Sequence, residues 1–176
     1  MVNQKQASNK SLKPNIVGKQ VRQANGLLVR PMLNATWDAA DRRIVAIGIN
    51  PSIATTGKSD ITMTKLCRFV DMYGFNNVTM LNLFENVTTK QSDISKLTTT
   101  DFKKHLKLLD EAEIILIVWG RTKKYQKNIE DLKPVLGKYQ DKLYCIARRN
   151  SSGEYIYPLH PSRVPYSADI IKYNLY

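Results

Sequence analysis

Four short stretches of this chain end an apolar run on residues that can hold or act on a polar ligand. In the first, Ile44-Val45-Ala46-Ile47-Gly48-Ile49 runs into Asn50-Pro51-Ser52. The second, Val78 to Phe84, carries Asn82 between Leu81, Leu83 and Phe84, where an unpaired amide costs ~1–3 kcal/mol. A third, Ile114 to Val118, stops at Trp119-Gly120, and the segment Leu159-His160-Pro161-Ser162-Arg163 sets an imidazole, a hydroxyl and a guanidinium side by side. Amides, imidazoles, hydroxyls and guanidinium groups orient water, donate to developing negative charge and read a polar edge. The same residues also have structural uses. Asn-Pro starts turns, Pro161 extends the backbone before it around a hydrogen-bonded His160, and Trp119 suits a core with its indole N–H satisfied.

These residues need a frame. The runs Arg43–Ile49, Val78–Leu83, Ile114–Val118 and Leu143–Ala147 alternate with longer amphipathic segments, the pattern of a parallel sheet covered by helices. Thr62–Tyr73 carries Leu66, Phe69, Val70 and Tyr73 at helical spacing and meets Gly74 as a C-cap. Asp101–Ala112 repeats the pattern with Phe102, Leu106 and Leu109 after a Thr-rich N-cap region, and Lys124–Leu136 is a more polar helix with Pro134 near its end. The spacing predicts a single α/β domain over residues 31–176 with a mostly parallel four-stranded central sheet. Ligands of such sheets bind beyond the carboxyl ends of the strands, where the polar residues collect.

Composition narrows the class of protein. A chain of 176 residues can bury a full core without disulfides. Cys67 and Cys145 lie far apart, have no histidine nearby to complete a zinc site, and read as buried thiols. No apolar run approaches the ~20 residues of a membrane span and no apolar signal segment is evident, so a soluble cytoplasmic protein, monomeric and with no metal or cofactor, is expected. Lys and Arg number 27 against 15 Asp and Glu, a formal charge of +12 that suits a polyanion partner such as DNA as well as it suits a merely soluble basic protein. Residues 1–30 contain no acid and little periodicity, and read as a flexible basic arm.

Taken in order, the four stretches resemble the uracil-DNA glycosylase superfamily. "GINPS" looks like the Gly-Ile-Asn-Pro-Gly segment of the mismatch-specific branch, and "KLCRFVDMYGF" resembles that branch's Asn-Arg-Phe-Trp helix. "VTMLNLF" is similar to the strand whose Asn reads the extruded base, "IILIVWGRTKK" to a Leu-Leu-Trp-Gly strand, and "LHPSRVPYS" to the His-Pro-Ser-Pro-Leu-Ser minor-groove loop. The likeness spans about residues 43–170. The combination of Asn-Pro-Ser, Asp-x-Thr, Asn-Leu-Phe, Trp-Gly and His-Pro is still more similar to an uncharacterised bacterial and phage group, the domain-of-unknown-function family 1643, which brings no established activity with it.

The superfamily resemblance implies a three-layer α/β/α fold and a metal-independent N-glycosylase that flips a uracil-like or modified base out of DNA. It assigns catalysis to Asn50, which positions water, and His160, which donates to the departing base. Asn82, Ile49, Pro51, Phe84 and Trp119 would enclose the base. Ser52, Ser162 and Arg163 would meet DNA phosphate, with Val164 where the family has a wedging Leu. Asp60, Thr62 and Arg68 would stand near the pocket, although Asp60 also suits a helix cap and Arg68 an i, i+3 pair with Asp71. Asn50 stands where the fastest uracil glycosylases have an acid, and no aromatic is clearly set to stack on the base, Phe69, Tyr73 and Phe84 all being candidates. Two alternatives therefore stay open: a noncatalytic reader of bases or nucleotides, serving in phage–host conflict, and a hydrolase of free nucleosides or nucleotides.

Overall fold

The computed structural model describes residues 5, 12–39, 41–87 and 97–176. In chain order its strands and helices are β1 (Asn15–Val17), β2 (Val21–Arg22), β3 (Leu28–Val29), β4 (Leu33–Thr36), β5 (Arg43–Gly48), α1 (Ile61–Asp71), β6 (Asn77–Asn82), α2 (Leu106–Glu111), β7 (Ile114–Ile117), α3 (Gln126–Leu136), β8 (Leu143–Arg149), β9 (Tyr155–Ile156) and β10 (Asp169–Lys172). The four apolar runs form the parallel centre of a mixed sheet in the order β6-β5-β7-β8.

Burial on both faces explains why β5 is a continuous apolar run. Ile44 and Ala46 point into one core with Met63, Leu66, Phe69 and Val70 of α1, while Val45 and Ile47 enter a second with Leu109 of α2 and Ile129, Leu132 and Leu136 of α3. Helices thus pack against both faces of the sheet. Asp60 caps α1, its Oδ1 accepting from the Met63 N–H at 2.8 Å, and the chain leaves the helix through Gly74 at φ +78°. Asp71 accepts from the indole N–H of Trp37 at 2.8 Å; the expected Arg68–Asp71 ion pair is absent among the described residues, and Arg68 is exposed.

The sheet is wider than four strands. Antiparallel β4 pairs with β6, β1 lies beyond β4, β10 closes the other side against β8, and β9 pairs with the far end of β8. These flanking strands span two to four residues and are mostly half-exposed, so they lack the solid apolar signal of the centre. From Asn15 onward the expected arm is likewise replaced by structure: Ile16 is buried, β1 pairs with β4, and Arg30 is only 2% exposed. Residues 1–4 and 6–11 of that arm lie outside the described residues.

Candidate functional site

Beyond the carboxyl ends of β5, β6 and β7 opens a cavity of about 590 Å³. The backbone continues the strand pairing up to its wall: Leu83 N–H donates to Gly48 O at 3.0 Å, Phe84 N–H to Ile49 O at 2.9 Å, and Val118 N–H to Ile47 O at 2.9 Å. This lattice fixes the chain on both sides of Asn50, Asn82 and Trp119. Gly48 stands opposite Asn82 in the register, and a Cβ there would lie 2.8 Å from Asn82 Oδ1 and 2.5 Å from Met80 Cε. A glycine is therefore what lets the Asn82 amide lie beside β5.

Asn82 is 2% exposed, lines the cavity, and its Oδ1 accepts no hydrogen bond among the described residues. Leaving such an acceptor unpaired costs about 1–3 kcal/mol, so a donor on a ligand would recover energy there. Asn50 is half-buried at the end of β5, with its Nδ2 3.3 Å from Pro51 O. Ser52 Oγ donates to Asp60 Oδ2, so one carboxylate both caps α1 and anchors the turn after Asn50.

His160 enters the cavity from a 3₁₀ turn over Pro161–Arg163. Its Nδ1 accepts from the Ser162 N–H at 3.3 Å and lies 2.8 Å from Ser162 Oγ. An Nδ1 that accepts from a backbone amide leaves the ring proton on Nε2. Lys65 of α1 donates to Ser162 O at 3.0 Å, tying this turn to the helix. Gly120, at φ +74°, lets the turn approach, since a Cβ there would sit 3.4 Å from His160 Cβ. Burial, and then the charge of Arg163, hold the imidazole pKa below its ordinary 6.5, with Asp60 opposing them.

Of the residues singled out from sequence, Ile49, Asn50, Ser52, Thr62, Asn82, Trp119, His160, Ser162 and Arg163 line this one cavity. Pro51 is buried beside it, and Asp60 reaches it only through Ser52. Phe84 is 1% exposed and packs edge-on to Tyr125 at 5.5 Å; the tyrosine, which the sequence did not single out, lines the wall instead. Val164 is buried in the core on the α1 side and is not a surface wedge. Arg68 does not line the cavity. Arg30 and Arg121 also join the wall, and no carboxylate does so among the described residues. Arg30 was hidden in sequence because it ends a basic, weakly periodic stretch.

Cys67 and Cys145 are buried free thiols, both pushed up to about 12 by burial, and neither lines the cavity. No helix among the described residues is long and apolar enough to cross a membrane.

A family model with the description "Protein of unknown function (DUF1643)" matches residues 30–162. No curated protein matches the chain. The matched residues include every cavity-lining position except Arg163, and most of the sheet, and the chain belongs to that family.

Proposed function

We propose that this member of the DUF1643 family is a metal-independent base glycosylase of the uracil-DNA glycosylase type, built on a three-layer α/β/α fold and acting on a uracil-like or modified base flipped from DNA. The observation that carries the reading is the buried, unpartnered Asn82 Oδ1 in the wall of a cavity that also receives Asn50 and His160. A base edge supplies the N–H that this acceptor lacks.

In the reaction the bond from C1′ to the base nitrogen breaks with its electron pair moving to the base. Water adds to C1′, and its proton balances the released base. Asn50 orients that water through its amide, which cannot itself take the proton. The Nε2–H of His160 donates to the charge growing on the base, a role that needs a neutral ring fixed in one tautomer. Arg163 and Ser162 at the rim meet the DNA backbone, where Lys and Arg displace counterions and make affinity fall with salt.

The direction of the His160 shift gives an expected pH profile. A histidine whose folded pKa lies below 6.5 binds fewer protons folded than unfolded between those two values, so its contribution to stability is complete above about pH 6.5 and is lost as pH falls through the folded pKa. Base release is expected to be flat from about pH 7 to 8.5 and to decline only in acid as the ring charges. A rate that climbs on acidification would instead require imidazolium.

The test is base release from single- and double-stranded oligonucleotides carrying uracil, mismatched thymine, hypoxanthine or hypermodified pyrimidines. Asn82→Asp is expected to change which base is released, because its carboxylate replaces the amide donor with a second acceptor. An unchanged substrate profile in that variant would remove Asn82 from base reading. The lack of a carboxylate in the wall favours one other reading, a noncatalytic base reader, and DNA binding without release of any base would select it.

A further inference from the structure

Arg30 lines the same cavity, is 2% exposed, and forms no ion pair among the described residues. Its Nη1 donates to the carbonyls of Ala54 and, at 3.3 Å, of Ser52, while Nε has no partner. Holding the turn after Asn50 accounts for one nitrogen and not for the charge. Burial lowers the pKa to about 10, against a smaller raising effect from Asp60, so the group stays charged at neutral pH. Burying a charge without a close counter-ion is costly, and a cavity beside it is where a counter-ion enters.

The rest of the wall agrees in sign. Arg121 and Arg163 join Arg30, Ser52 and Thr122 add hydroxyls, and no carboxylate lines the space among the described residues. Two buried orphans therefore border one cavity: a cationic donor at Arg30 and a neutral acceptor at Asn82. A ligand that satisfies both carries an oxyanion and an N–H edge. A guanidinium matches the oxygens of a phosphate with its in-plane N–H groups, and the 590 Å³ lies within the ~300–1,000 Å³ of pockets that enclose a drug-sized ligand rather than one ring.

We propose that Arg30 is a phosphate-binding residue inside the cavity, and that the cavity takes a nucleotide whose phosphate meets Arg30 while its base meets Asn82. This rests on the reading of the cavity as a base site but not on catalysis, and it separates Arg30 from the rim groups that would contact the DNA backbone.

The experiment is a titration of the full chain at fixed ionic strength, following the arginine Nε–Hε resonances by ¹⁵N-edited NMR. The probes are inorganic phosphate, deoxyuridine and deoxyuridine 5′-monophosphate, and the Arg30→Lys variant identifies the Arg30 signal. The Arg30 resonance is expected to move with phosphate and with the nucleotide but not with the nucleoside. Arg30→Lys, which keeps the charge but loses the fork, is expected to weaken the nucleotide roughly tenfold or more and to leave the nucleoside unchanged.

An Arg30 signal unmoved by both phosphate-bearing probes would overturn the proposal and leave the residue a tether of the 52–54 turn. Movement with inorganic phosphate alone would overturn the nucleotide assignment in favour of a free anion. Should the lysine variant not fold, the wild-type titration still decides, with the signal identified by sequential assignment. Failure of the base reading looks different: the phosphate arm stays positive while the nucleoside does not bind and Asn82→Asp changes nothing.

Discussion

Asn50→Ala is expected to lower base release by at least ~100-fold, the scale of losing one preorganised polar group at a reacting centre, with DNA affinity changed by less than about twofold. The asymmetry follows from position. Asn50 lies just past the end of β5, half-buried in the cavity wall, whereas the charged group that would hold DNA is Arg163, which is exposed. His160→Ala is expected to behave alike, with a loss of about 10²–10³ typical of removing one hydrogen-bond donor to a developing anion. Single-turnover release on a saturating oligonucleotide, paired with a binding isotherm for each variant, separates the two quantities. Full turnover in both variants would end the glycosylase assignment of these residues, and equal losses in binding and release would make them contacts only.

The second large effect is expected at a residue with no side chain. Gly48→Ala sets a methyl group 2.8 Å from Asn82 Oδ1 and 2.5 Å from Met80 Cε, so the amide and the thioether must both move. The expected cost is about 1–3 kcal/mol of stability, the usual range for overpacking, read as a shift of the urea midpoint at constant slope. Base discrimination is expected to fall with it, because the Asn82 amide loses its orientation. Adding Asn82→Ala should return part of the lost stability, since the two substitutions share one collision, and a strictly additive double variant would show that Gly48 accommodates a methyl group some other way.

The parts of the fold that were legible in sequence were those with strong periodic signals. The apolar stretches of β5, β7 and the first part of β8 are unbroken, that of β6 is interrupted only by Thr79 before Asn82, and α1 carries its apolar face in one clean stripe with Asp60 before it and Gly74 after it. The short flanking strands gave no such signal, because three or four half-exposed residues resemble any loop. For the site, chain order and strand ends sufficed to bring Asn50, Asn82 and Trp119 to one cavity, since in a parallel sheet those ends share an edge, whereas His160 arrives from the turn after β9, which runs antiparallel to β8. Arg30, Tyr125 and Arg121 were not legible. Their presence in the wall depends on how loops return over the sheet, which no local spacing encodes. Val164 failed for a related reason: its position in the turn matched a wedge, but packing against α1 buried it.

The family match over residues 30–162 ends inside both outermost strands of the main ladder, because β1 and β10 fall outside it. A fragment trimmed to the matched span would leave β4 and most of β8 with a row of unsatisfied N–H and C=O groups facing water. Such rows recruit strands from other molecules. Trimming would thus promote self-association, although every cavity-lining residue but Arg163 would still be present, and insolubility of that fragment would say nothing about the chemistry of the site.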